Sequence, residues 1–139
     1  MSAHSYEQVS LPDRQPTLRL VPMPHDTNHG GSIFGGWIMA QVDIAGSIPA
    51  LQRARGRVAT VAVKSFEFHQ PVFVGDLVSL YAEVSGIGNS SIHVHVEVYV
   101  QRNIQDIETY KVTEAELTYV ALDEQRRPRP VPPEVEHCP

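Results

Sequence analysis

The chain is predicted to be an α+β domain in which one long apolar helix is wrapped by a curved antiparallel sheet of five to six strands. Three observations carry that expectation. WIMAQVDIAGSI, from Trp37 to Ile48, lacks strand alternation and contains good helix formers. From Val58 onward the chain reads as four successive strand-like runs. In the clearest of these, Ile92, Val94, Val96, Val98 and Val100 alternate with Ser91, His93, His95, Glu97 and Tyr99, the period of a strand with one buried face.

The elements follow in order. Residues 1–14 are polar and without periodicity, and are expected to be a flexible N-terminal segment. Thr17 to Val21 reads as a short strand closed by Pro22 and Pro24, because proline cannot donate to a sheet ladder. A glycine-rich loop, MPHDTNHGGSIFGG, leads into the helix. Trp37, Ile38, Val42, Ala45 and Ile48 recur at roughly helical spacing, so a broad face is expected to be buried, with Pro49 kinking or interrupting the helix before it resumes to about Arg55. The strand runs are Val58–Phe68, Leu77–Ser85, Ser91–Gln101 and Thr109–Leu122. The folded domain is placed at 15–122, followed by a proline-rich tail at 123–139 that is expected to be mobile or loosely laid on the surface. A single helix covers only part of such a sheet, and the apolar surface left over favours pairing with a second copy.

At 139 residues the chain fits one domain. Its 42% hydrophobic and 19% charged residues are ordinary for a globular protein. A net charge of −5 with scattered Lys and Arg argues against a nucleic-acid partner. The only cysteine, Cys138, cannot form an internal disulfide and is compatible with a reducing compartment. The N-terminus has no apolar core of signal-peptide length, and no apolar run approaches the roughly 20 residues of a bilayer span. A cytoplasmic protein with no membrane association is expected.

Gly35 and Gly36 stand at the predicted helix start, where backbone N–H groups lack intrahelical acceptors and the positive end of the helix dipole is concentrated. That arrangement suits an oxyanion. Asp43 follows in the middle of an apolar helix, where an ionised carboxylate is costly without a partner or a task. The eight residues from Gly35 to Asp43 correspond to about 12 Å of helix rise, too far for both to act on one carbonyl carbon. Two antiparallel helices at a twofold interface bring the N-terminus of one beside the carboxylate of the other. The competing reading is an Asp that faces solvent or forms an ion pair and glycines that only permit a tight turn. Spacing alone does not decide between them.

DTNHGGSIFGGWIMAQVDIAGSI, then GRVATVAVKSFEFHQPVFVGDLV, then GNSSIHVHVEVYV together resemble the bacterial YciA-like acyl-CoA thioesterases, from about Thr17 to Leu122. The resemblance implies a hotdog fold, dimers that assemble into a homohexamer as a trimer of dimers, and an acyl-CoA substrate. It implies Asp43 as general base or nucleophile, Gly35 and Gly36 as backbone donors to the thioester oxygen, and Asn28 and Thr60 as polar residues around the substrate or attacking water. No metal and no cofactor beyond the coenzyme A of the substrate is implied. A thioester carbonyl lacks strong resonance stabilisation, so one carboxylate and a helix-terminal donor suffice chemically. Attack by water is favoured over an anhydride intermediate, though the sequence separates neither.

Two departures stand near the helix start. Ser32 occupies a position where relatives more often carry Asp or Asn, and Phe34 replaces a histidine used in many other hotdog enzymes. Both are expected to line the substrate site. Phe34 argues against the runner-up, a hydratase or dehydratase of acyl thioesters, which needs a catalytic histidine. The third possibility, a non-catalytic acyl-CoA sensor, normally carries an appended domain. Arg57, Lys64, Ser90 and Ser91 are the candidate contacts for the CoA phosphates. Arg126, Arg127 and Arg129 would reach the nucleotide only if the tail folds back. His93 and His95 share a strand face expected to be exposed and polar, without the further ligands a metal site requires. His25, His29 and His69 fall in loops, and the last two are placed beside the cleft.

Overall fold

The computed structural model describes residues 6–135, so Cys138 lies outside the described residues. β1 (Leu18–Leu20) is followed by a 3-10 turn at Pro24–Asp26, the helix α1 (Gly35–Ala54), and the strands β2 (Val58–Lys64), β3 (Leu77–Ile87), β4 (Ser91–Arg102) and β5 (Glu108–Ala121). The five strands form one sheet in the order β1-β3-β4-β5-β2, and every pairing is antiparallel. The edges are β1 and β2.

The alternation in β4 sets the core. Ile92, Val94, Val96, Val98 and Val100 are all fully buried against α1 and the inner faces of the neighbouring strands. Each such side chain contributes on the order of 1.5–3 kcal/mol over its exposed state. α1 meets this surface with Ile38, Val42, Ala45, Gly46, Ala50 and Ala54, and the small residues in its second half let the helix axis approach the strands closely. Trp37 and Ile48, expected within the buried face, are only partly covered.

Pro49 does not interrupt the helix, which runs unbroken over 20 residues. Proline removes one hydrogen bond to the preceding turn, and the burial of Ala45 and Ala50 on either side holds the geometry. β2 ends at Lys64 rather than Phe68, because Ser65 takes a left-handed conformation (φ 59°) that leaves the strand. The segment that follows is tied to β5, with His69 N–H donating to the Val112 carbonyl at 2.8 Å and the Thr113 hydroxyl donating to the Glu67 carbonyl. Buried Asp76 closes its end by accepting from Phe73 N–H and from Arg102 at 2.9 Å each.

The tail folds back across the C-terminal end of α1. Arg129 donates to the carbonyls of Leu122 (2.9 Å) and Ala54 (2.7 Å), Arg53 donates to the Pro132 carbonyl (2.6 Å), and Val131 N–H donates to the Asn89 carbonyl (2.8 Å). Residues 6–14 run along the outer face of the sheet, where Val9 N–H donates to Thr109 and Arg14 pairs with Glu83 while stacking over Tyr81. Tyr81 and Tyr99 lie buried edge to face on that side, so the face expected to be exposed is partly covered. Phe34 at the helix start, Met39, Ile44 and Leu51 on α1, and Val61 and Val63 on edge strand β2 are exposed apolar side chains.

Candidate active site

Asp43 sits on the third turn of α1, half-buried, with its carboxylate turned toward β2 and β5. The Thr60 hydroxyl donates to Asp43 Oδ1 at 2.6 Å. The Tyr119 hydroxyl approaches the same oxygen at 3.1 Å and the Asp43 main-chain carbonyl at 2.8 Å. Thr60 and Tyr119 are cross-strand partners in the β2–β5 pairing, so the sheet register delivers both hydroxyls to one oxygen. Oδ2 accepts no hydrogen bond from the described residues. Burial, followed by the Asp43 charge and its hydrogen bond, pushes the Tyr119 hydroxyl above its usual 10.0, so it stays a donor at neutral pH.

The helix begins without a side-chain cap and without an acidic residue in its first turn. Trp37 N–H turns back to the Phe34 carbonyl at 3.1 Å, while the N–H groups of Gly35 and Gly36 have no acceptor among the described residues. Gly36 lines a cavity of about 390 Å³ together with Met39, Asp43, Thr60, Val63 and Phe66. Gly35 lines a neighbouring cavity of about 340 Å³ with Ser32, Ile38, Phe68 and His69. A side chain at Gly35 would press on the Phe68 ring at 3.3 Å, which accounts for glycine there. One protomer therefore joins Asp43, Thr60 and Gly36 around one cavity and places Gly35 and Ser32 at the next.

Asn28 stays in the loop before α1. Its side chain donates to Ser32 Oγ at 3.0 Å and accepts from Gly30 N–H at 2.9 Å, so within a protomer it shapes the loop and does not meet Asp43. Phe34 is half exposed at the helix start. Arg57 lies at the opposite end of α1, where it lines a cavity with Leu51 and Arg126. Lys64 alternates with Val63 and points to the far face of the sheet, paired in register with Glu116. Ser90 and Ser91 form the β3–β4 turn, joined to β5 through the Ser90 carbonyl and Ala121 N–H at 2.9 Å. His29 is exposed, and His69 is the loop histidine that reaches a cavity of the site.

Tyr119 and Gly46 escaped the sequence reading. A buried tyrosine must place its hydroxyl on a partner, but which one depends on a register that spacing within a single strand does not reveal. The surroundings of His95 escaped it for the same reason. Cross-strand pairing puts Glu116 2.7 Å from Nδ1 and Glu114 3.5 Å from Nε2, while Glu97, two residues along the same strand, stands 3.3 Å from Nε2. These groups belong to the outer face, opposite Asp43. Lys111 holds the Glu114 carboxyl below its usual range. Burial raises Glu97, but Tyr99, Lys111 and His95 together outweigh it and hold that carboxyl low as well.

One long helix packed on a five-strand antiparallel sheet is the architecture of the hotdog-fold thioesterases. The thioesterase superfamily model matches residues 30–106. The chain is 46% identical over 125 residues to the acyl-CoA thioester hydrolase YciA of Salmonella typhimurium, covering 88% of this chain and 94% of that one. It is 48% identical over 119 residues to an uncharacterized acyl-CoA thioester hydrolase of Haemophilus influenzae, covering 84% and 77% of the two chains. Among solved structures, Cj0915, a hexameric hotdog fold thioesterase of Campylobacter jejuni, superposes with a TM-score of 0.82 at 42% identity, covering 86% of this chain and 91% of that one. The chain belongs to the thioesterase superfamily and, within it, to the YciA-like acyl-CoA thioester hydrolases.

Proposed function

We propose that the chain hydrolyses acyl-CoA to the free acid and CoA by Asp43-assisted attack of water. The observation that carries this reading is the Asp43 carboxylate itself, with Oδ1 held by Thr60 and Tyr119 and Oδ2 left for a water in a cavity that also exposes Gly36. Oδ2 takes a proton from the water as its oxygen bonds to the thioester carbon. The N–H groups of Gly35 and Gly36 at the helix start of the second chain donate to the carbonyl oxygen as it gains negative charge, since the pair on the same helix lies too far along the axis from Asp43. The carbon–sulfur bond then breaks, CoA leaves as thiolate, and the proton on Asp43 returns to sulfur. Thr60, which donates to the carboxylate, still has lone pairs to accept from the same water. No metal or further cofactor enters this sequence.

The exposed apolar side chains of α1 and the open edge of β2 support a homodimer in which each site draws on both chains. The loop holding Asn28, Ser32 and Phe34 then borders the Asp43 cavity of the partner subunit. Cj0915 and the thioesterase y2039 of Yersinia pestis are hexameric, and we extend to this chain a trimer of dimers working on acyl-CoA in the cytoplasm.

Release of free thiol from a panel of acyl-CoA esters tests the reaction. Asp43→Asn and Asp43→Ala are expected to lose activity by roughly 10²–10⁴-fold with the oligomer intact. Full activity in either variant would reject Asp43 as the catalytic carboxylate. Mixed oligomers of Asp43→Asn and Asn28→Ala chains are expected to recover part of the activity, because one of their two shared sites carries neither change. No recovery would place each site within a single chain.

A further inference from the structure

The outer face of the sheet carries a group of side chains for which hydrolysis at Asp43 has no use. In the β4–β5 ladder His95 stands opposite Glu116 and Glu97 opposite Glu114, so one imidazole and three carboxylates share one patch of the sheet. Like charges directly opposite each other destabilise a strand pair, and Glu97 facing Glu114 calls for a cation between them. Among the described residues the one Lys or Arg paired with any of the three carboxylates is Lys111, whose Nζ lies 2.9 Å from Glu114 Oε2. The strand pairing thus supplies His95 with the further ligands that β4 read by itself does not show.

The donor atoms are already aimed at one point. Glu116 Oε1 lies 2.7 Å from His95 Nδ1, and because a carboxylate only accepts, the neutral ring carries its proton on Nδ1 and turns the Nε2 lone pair toward the other two carboxylates. The Tyr99 hydroxyl donates to Glu97 Oε2 at 2.5 Å, which leaves Oε1 facing the imidazole. Nε2 stands 3.3 Å from Glu97 Oε1 and 3.5 Å from Glu114 Oε2. Both separations are long for a hydrogen bond. They match the edge of a tetrahedron of N and O ligands at ~2.0–2.1 Å from a metal, which is about 3.3–3.4 Å. The three ligand atoms all lie within 4.8 Å of one another, and this is the only such group of His, Cys, Asp and Glu among the described residues.

We propose that His95 Nε2, Glu97 Oε1 and Glu114 Oε2 form a site for a divalent cation of the zinc class, with water as the fourth ligand and Glu116 fixing the imidazole from behind. One nitrogen and two carboxylate oxygens suit a borderline cation of tetrahedral habit better than Mg²⁺, which takes an octahedron of oxygens. Lys111 leaves Glu114 Oε2 as the ion enters, so an ammonium and a metal compete for one oxygen. The bound ion ties β4 to β5 on the face opposite Asp43, as a structural clamp that takes no part in hydrolysis.

The test is equilibrium dialysis of the EDTA-treated full chain, in its native oligomer, against Zn²⁺, with excess Mg²⁺ as competitor. A Zn²⁺ equivalent per chain that Mg²⁺ does not displace is expected, and His95→Ala should abolish it. Glu116→Gln, which touches only the far side of the imidazole, should weaken binding about 10- to 100-fold. Lys111→Met should tighten it. Glu97→Gln keeps the shape of the side chain, so it reads the site even where His95→Ala fails to fold. The melting temperature of the wild type should rise by several degrees with Zn²⁺, and that of Glu97→Gln should not. A wild type that binds no Zn²⁺, or Zn²⁺ bound with the same stoichiometry and affinity in both Glu97→Gln and Glu116→Gln, would overturn the proposal. Neither readout involves thiol release, so failure of the hydrolase reading would leave this site untouched.

Discussion

A methyl group on Gly46 would lie 2.5 Å from the hydroxyl oxygen of Tyr119, so a glycine on the helix fixes where a tyrosine from β5 ends, against Asp43. Gly46→Ala is expected to push that hydroxyl away from the carboxylate. Overpacking of this kind costs about 1–3 kcal/mol, partly offset by up to ~1 kcal/mol of better helix propensity. Urea unfolding should show a net loss of stability, and thiol release a lower kcat. A variant with wild-type kcat would show that the Tyr119 contact is dispensable.

Tyr119→Phe removes the hydroxyl without adding bulk. Asp43 Oδ1 keeps Thr60, so kcat should fall only about fivefold, the equivalent of roughly 1 kcal/mol. The folded chain holds the Tyr119 proton more tightly than the unfolded one, where the group titrates near 10.0. Its contribution to stability is therefore complete below pH 10 and is lost as pH rises through the higher folded value. Wild type should lose more stability than Tyr119→Phe between pH 10 and 11, measured by denaturant unfolding at each pH.

Thr60→Val keeps shape and removes the shorter of the two contacts to Oδ1. A hydrogen bond to a charged group is worth about 1.5–3 kcal/mol, so kcat should fall about 10- to 100-fold. KM for acyl-CoA should move little, because Thr60 acts on the carboxylate and the water. A change confined to KM would recast Thr60 as a substrate contact.

Ile44 is half exposed on α1, one residue beyond Asp43. Ile44→Lys is expected to shift the protein toward monomer in light scattering after gel filtration, with activity falling in proportion to the assembled fraction. A fully active monomer would rule out a site built from two chains.

The fold was legible in the sequence wherever one face of an element had to be buried. β4 wrote its register in five alternating apolar positions, and the start of α1 was marked by Gly35 and Gly36 before an apolar run. Asp43 stood out because a carboxylate does not belong in such a helix without a reason. What the sequence hid was set by pairing between strands distant in the chain. Thr60 and Tyr119 become partners only through the β2–β5 ladder, and His95 gathers Glu114 and Glu116 only through β4–β5. The ends of elements were harder for a local reason: β2 stops where Ser65 turns left-handed, a conformation that serine does not advertise. The return of the tail depended on Arg129 finding the Ala54 carbonyl, a contact between residues 75 apart.

The bare start of α1 carries a thermodynamic consequence. Asp, Asn or Ser at position 34 would satisfy an exposed main-chain donor and add about 1 kcal/mol to the folded state. The same oxygen would sit where a reacting carbonyl needs to be, and its negative charge, in the case of Asp, would oppose the charge that develops there. A thermostability screen that selects Phe34→Asp should therefore return a hardier but slower protein, and the unsatisfied helix end is the form in which that stability is forgone.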